Sequence, residues 1–385
     1  MWVLLAILLV LACMGATGWI VWQVMHRPEP AAPEPAPAPS RLPERVQPPR
    51  LPLPSAPQPV IPTPPNPATP SAPKPAVVRT SAPIAQVQSS NARPADVRPP
   101  PRPKPSTWEL QMALAHQGIS VGCIDGRIGS QTRQAIRVYQ RRESLPVTGE
   151  FDERTVDRLG LDGPAVDRYT VTAADLDRLK PVPSTWLGKS QQDRLDYETI
   201  LELVSERSHA HPDLLRQLNP DVDWGSIQAG QAIAMPRVHD PPLAAPASWV
   251  SIRLAQRVLQ VYDTSSNLVA HFPCSIALRL DKRPIGEFHV TGVVRNPDYL
   301  FHPEVFPESA EGRRLQRKLR IPPGPNNPVG VVWIGLSRPG YGIHGTPHPE
   351  SVGRTESHGC FRLANWNVDH LAKMVSPGTR VLIEP

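Results

Sequence analysis

With 51 prolines among its 385 residues, this chain cannot be folded throughout, because each proline ring fixes φ and removes a backbone donor. Its formal charge of +6, from 41 Lys and Arg against 35 Asp and Glu, suits an anionic polymer or a membrane surface; no RNP, zinc-finger or basic-zipper pattern points to nucleic acid. The four cysteines, Cys13, Cys123, Cys274 and Cys360, form no C-x-x-C pair, which argues against a disulfide framework or an all-cysteine zinc site.

Residues 1–25 are apolar and uncharged, long enough as a helix to cross a bilayer core of about 30 Å. The expectation is an uncleaved inner-membrane anchor over 1–27 with everything after it exported, although the first basic residues follow the segment instead of preceding it. Of the prolines, 27 fall between Pro28 and Pro105, so 28–105 reads as an extended, partly polyproline tether.

From 106 to 162 an internal echo runs at an offset of 23 residues: Gly126, Ile128, Thr132 and Ile136 return as Gly149, Phe151, Thr155 and Leu159. Each copy reads as a glycine turn, an apolar anchor and a helix, the first capped by Ser130 over 131–142. A preceding helix near Trp108–His116 completes a small three-helix domain. The run L-Q-x-A-L…D-G-x-I-G…T…A-I…Y-Q…V-T-G-x-F resembles the peptidoglycan-binding domain 1 family.

Residues 168–237 begin with the alternating strand 169–172. A helix over 197–207 follows, then a second after Pro212 that stops at Asn219-Pro220, and the closing element is G-Q-A-I-A-M-P. This strand–helix–helix–strand order resembles a LysM glycan-binding module, with about 20 extra residues inserted within 173–196.

From Trp249 the pattern changes to alternating strands separated by turn signals, which predicts a mainly antiparallel β domain over 248–385. A helix is expected over 366–375, ending before Pro377-Gly378. The run Arg313, Arg314, Arg317, Lys318 and Arg320 reads as a solvated helix face. The chemistry concentrates in 341–363, which holds His344, His348, His358 and Cys360. A cysteine nucleophile needs a base within reach and donors aimed at a developing oxyanion. His344 and His358 are candidate bases, Gly359 permits close approach, and Arg354 and Arg362 would favour the thiolate. Three histidines and a cysteine are also a possible zinc set, but H-E-x-x-H is lacking and Cys360 follows His358-Gly359 directly, which is awkward for tetrahedral closure.

His344-Gly-Thr346, followed sixteen residues after its histidine by the cysteine of Ser357-His-Gly-Cys-Phe-Arg362, resembles the YkuD-type L,D-transpeptidase signature. The resemblance extends to N-P-x-Y at 296–299 and P-P-G-P-x-N-P-V-G at 322–330. It implies acyl transfer on peptidoglycan stems in the cell envelope, the catalytic domain being periplasmic, without cofactor or metal. It also implies that Cys360 is the nucleophile, His344 the general base and His358 an orienting residue. The backbone at Gly359 would hold the oxyanion, with Arg362, Tyr341 and Ser357 binding substrate and His348 left to a connecting loop. The product would be a 3→3 cross-link made through a cysteinyl thioester. A carboxypeptidase or amidase using water as acceptor, and a non-catalytic wall-binding protein, are the alternatives.

Overall fold

The computed structural model describes residues 104–161, 163–239, 241, 246–306, 309–355 and 357–385. They all lie within 95–385, so the expected membrane helix and all but the last two residues of the expected proline tether fall outside the described residues. Among the described residues no helix is long and apolar enough to cross a membrane.

The upstream half opens with α1 (Thr107–His116), α2 (Ser130–Arg142) and α3 (Glu153–Leu159). Ser106 and Glu109 form a capping box at α1. Gly129, not Ser130, is the N-cap of α2, so the helix starts one residue before the expected bound. The 23-residue echo has a hydrogen-bonding cause. The fully buried Gln111 accepts from Gly126 N–H (2.8 Å) and donates to the Arg127 carbonyl and to Thr132 Oγ1. In the second copy, the fully buried Gln140 accepts from Gly149 N–H (2.9 Å) and donates to the Glu150 carbonyl and to Thr155 Oγ1. Each glycine sits at positive φ, +73° and +76°, so the turn that presents its N–H to the glutamine favours glycine.

Next come β1 (Val166–Thr170), α4 (Ala173–Asp177), α5 (Trp186–Ser190), α6 (Ile200–Arg207), α7 (Pro212–Leu218) and β2 (Ala232–Pro236). β1 and β2 pair antiparallel, and Asn219 ties α7 to β2 by donating to the Leu215 and Ala234 carbonyls and accepting from Ala234 N–H. The inserted residues thus form α4 and α5. α6 begins at Ile200, later than expected, because Thr199 caps it. One apolar cluster, from Leu110 through Ile136 and Tyr139 to Leu203, Leu215 and Ile233, serves both stretches of the upstream half.

The downstream half is an eight-stranded sheet in the order β11-β10-β9-β6-β12-β3-β4-β5. Its strands are β3 (Trp249–Arg253), β4 (Val258–Tyr262), β5 (Leu268–Pro273), β6 (Gly286–Arg295), β9 (Val332–Leu336), β10 (Gly342–His344), β11 (Phe361–Arg362) and β12 (Arg380–Glu384). Every neighbouring pair is antiparallel except β12–β3 and β10–β11. β6 turns the corner: 286–289 pair with β12, 290–295 pair with β9, and the register slips between Val290 and Gly292, where a bulge sharpens the twist. Beyond β5, Ser275 bridges Arg362 and Ala277 bridges Ser357, so the chain leaving one sheet edge meets the strand at the other. α9 (Asn365–Met374) packs Val368, Leu371 and Met374 into the sheet's core.

Between β6 and β9 a hairpin, β7 (Tyr299–Phe301) with β8 (Leu319–Ile321), encloses the short helix α8 (Ala310–Leu315). The basic run is therefore not one helix face. α8 ends at Gln316 in the left-handed region, and Leu319 and Ile321 are buried as strand residues, which draws the second part of the run into the hairpin.

Candidate active site

Strand alternation assembles the site. Ile343 and Phe361 are register partners on β10 and β11, and both point into the core. Their neighbours Gly342, His344, Cys360 and Arg362 must then face the other side. His344 lies opposite Arg362 on one flank and Trp333 of β9 on the other. Cys360, immediately before β11, stands diagonally across from His344.

His344 is buried, and its Nδ1 is 2.7 Å from the Gly345 carbonyl oxygen. A carbonyl can only accept, so Nδ1 carries the proton and Nε2 presents a lone pair. Burial drives its pKa down to about 4, with the Arg362 charge acting the same way and the Gly345 bond opposing. The imidazole is neutral over the physiological range. The Cys360 thiol donates to the Gly340 carbonyl (3.6 Å) in the β9–β10 turn. Burial pushes its pKa up, only partly offset by a backbone hydrogen bond at Gly342 and the Arg362 charge. The expectation is that Arg354 and Arg362 favour the thiolate. Arg362 pulls in that direction but desolvation outweighs it, and Arg354 lies 3.9 Å from Asp125 of the upstream half.

Ser357 is buried and staples the loop before the cysteine: its hydroxyl donates to the Cys360 carbonyl (2.5 Å) and accepts from Gly359 N–H (3.3 Å). Tyr341 lies beside Gly359, where an added Cβ would come 3.9 Å from the ring, and Arg338 covers that ring at 4.7 Å. His358 is exposed at the rim, its ring edge-on to Phe306 at 4.7 Å. His348, 3.8 Å from Glu350, stays in the connecting loop. Among the described residues no group of three His, Cys, Asp or Glu side chains gathers as a metal would require.

Two aromatic residues, Trp333 and Tyr299, stand outside the histidine and cysteine motifs. Trp333 stacks on His344, ring centroids 5.6 Å apart and 17° from parallel. Its indole also crosses Gly342, where a Cβ would come within 2.5 Å of the ring, so that position has to be glycine for the indole to lie there. Tyr299 of the hairpin has its phenol pushed up to about 12, first by burial and then by the charge of Cys360. The N-P-x-Y run was the available clue to Tyr299; only strand register brings Trp333 in.

Residues 247–383 match the family model described as the L,D-transpeptidase catalytic domain, YkuD, and residues 105–159 match a peptidoglycan binding domain model. A Bacillus licheniformis protein named as an L,D-transpeptidase, YkuD, is 31% identical over 185 residues, covering 48% of this chain and 93% of that protein. Its Bacillus subtilis namesake is 31% identical over 176 residues, 44% of this chain and 84% of that protein. Among solved structures, an L,D-transpeptidase from Xylanimonas cellulosilytica is 16% identical with a TM-score of 0.31, covering 72% of this chain and 93% of that one; likeness at that level bears no weight.

Proposed function

Because the chain belongs to the YkuD family of L,D-transpeptidases and also carries a peptidoglycan-binding domain, we propose that it cross-links peptidoglycan stems through a thioester on Cys360. The observation that carries this reading is the pairing of Cys360 with a neutral, tautomer-locked His344 on one face of the sheet. His344 Nε2 takes the thiol proton as Sγ attacks the carbonyl of the third residue of a tetrapeptide stem. The negative oxygen of the tetrahedral adduct is met by backbone N–H groups at Gly359 and Cys360, Gly359's being shared with Ser357 over a long bond. The imidazolium returns its proton to the leaving amine, the C–N bond breaks, and D-alanine departs. The side-chain amine of a diaminopimelate on a second stem then gives its proton to His344 and attacks the thioester. An amide, the 3→3 cross-link, forms and the thiol is restored.

In this scheme Arg362 meets a substrate carboxylate or orders the loop, Tyr341 lines the cleft, and Ser357 and His358 shape the approach. Residues 168–237 act as a LysM-like glycan contact, and 1–27 anchors the chain in the inner membrane with 28–105 as tether, so that the catalytic domain works in the periplasm. Water in place of the amine would make the same thioester the intermediate of an L,D-carboxypeptidase.

The test is product analysis on tetrapeptide muropeptides. The wild-type chain should release D-alanine and form dimers, and Cys360→Ala should do neither. Undiminished products from Cys360→Ala would sink the assignment, and tripeptide products without dimers would select the hydrolase.

A further inference from the structure

A single hydrogen-bonded path leads from the candidate base into the upstream half. The Gly345 carbonyl that receives His344 Nδ1–H belongs to the peptide unit whose N–H is that of Thr346, and this N–H donates to Asn365 Oδ1 at 3.1 Å. Val331 N–H donates to the same oxygen at 3.3 Å. Asn365 Nδ2 donates to Glu206 Oε2 on α6 (3.0 Å) and to the Pro325 carbonyl (3.2 Å), and Tyr197 donates to Glu206 Oε1 (3.3 Å).

The path has no slack. Asn365 is 1% exposed, and a Cβ on Gly330 or Gly345 would fall 2.0 or 2.2 Å from its Oδ1. An amide can present either end to a neighbour, but a carboxylate can only accept. The ionised Glu206, together with the Pro325 carbonyl, therefore holds the Nδ2 end toward itself and leaves Oδ1 for Thr346 N–H. The carboxyl sits in the interface, where burial pushes its pKa up to about 7 against the bonds from Asn365 and Tyr197.

We infer that Glu206, a residue of the upstream half, is a positioning residue for the transpeptidation. By orienting Asn365 it fixes the Gly345–Thr346 peptide and so the tautomer and aim of His344. The inference rests on His344 being the base. It makes α6 part of the enzyme in addition to any role in wall contact.

The experiment compares the full chain with Glu206→Gln, which keeps an acceptor for Asn365, Glu206→Met, which keeps the volume without one, and His344→Ala. D-alanine release from a tetrapeptide stem gives kcat and KM per folded molecule. The rate of Cys360 alkylation by iodoacetamide across pH reports how well the base takes the thiol proton. Glu206→Met should lower kcat by about 10- to 100-fold, the scale of losing a supporting bond or of an ångström's misplacement, with KM little changed. It should change the alkylation profile in the direction of His344→Ala, and Glu206→Gln should restore both to near wild type.

Wild-type kcat and profile in Glu206→Met, equal loss in Glu206→Gln, or loss of folded protein in place of kcat would each overturn the inference. Full activity in His344→Ala would instead remove the functional reading beneath it.

Discussion

At the scale of single residues, a raised thiol beside a lowered imidazole fits the proposed general-base role of His344 and not a preformed ion pair. Since His344 is neutral above about pH 4, its ability to accept a proton is lost only as pH falls through that value. The acid limb of kcat/KM is therefore expected near pH 4, not near the 6.5 of an ordinary histidine; a pH–rate profile checks this, and a limb at 6 to 7 would contradict it. The same shift has a cost for stability. A histidine that is neutral in the fold and protonated in the unfolded chain contributes stability above pH 6.5, and that contribution drains away as pH falls toward 4. His271, lowered to about 3 by burial, acts in the same direction.

At the scale of elements, the hairpin beside Cys360 is braced from outside the catalytic sheet. The Glu311 carboxylate on α8 accepts from the N–H groups of Trp186 and Leu187, both at 2.8 Å, satisfying free donors in the first turn of α5. The Trp186 ring stacks on Phe301 at 4.2 Å within a small cluster that also holds Leu195, Leu319 and Ile321. Phe306, 5.8 Å from Trp186, carries the contact on to His358. The insertion between β1 and α6 therefore supports the hairpin that carries Tyr299. Trp186→Ala is expected to cost about 2–3 kcal/mol, less than a fully buried tryptophan because this one is half-buried. Hydrogen exchange should speed up over 299–321 while β3–β5 stay protected; uniform loosening would argue against a local brace.

At the scale of the whole molecule, the upstream half touches the catalytic half on several sides of the 345–365 region. Gln131 donates to the Val352 carbonyl, Asn367 donates to Ser120 Oγ, and His209 stacks on Trp366 at 4.9 Å. Ile119 adds a parallel bridge to His271 at the edge of β5, and Leu195 exchanges backbone bonds with Pro323 and Asn326. A chain reduced to 246–385 should therefore melt at a lower temperature and turn over even soluble muropeptides more slowly. If the upstream half served only to hold the wall, activity on soluble substrate would be unchanged; steady-state assays of both chains decide between the two.

Much of this was open to reading in one dimension. The H-G-T and S-H-G-C-x-R runs, sixteen residues apart from histidine to cysteine, mark the proposed nucleophile and base because two short paired strands bring them together. The 23-residue echo marks two glycine turns, and alternation marks the β strands. Such signals are local: they depend on spacings of two, three or four residues that backbone geometry converts directly into faces. The basic run misled because composition alone does not tell a helix end from a strand start; burial of Leu319 and Ile321 settles it. Trp333 over His344, Trp186 under the hairpin and Glu206 against Asn365, 159 residues apart in sequence, were decided only by tertiary structure. Strand register and the docking of one half on the other select such contacts, and neither leaves a periodic trace in the chain.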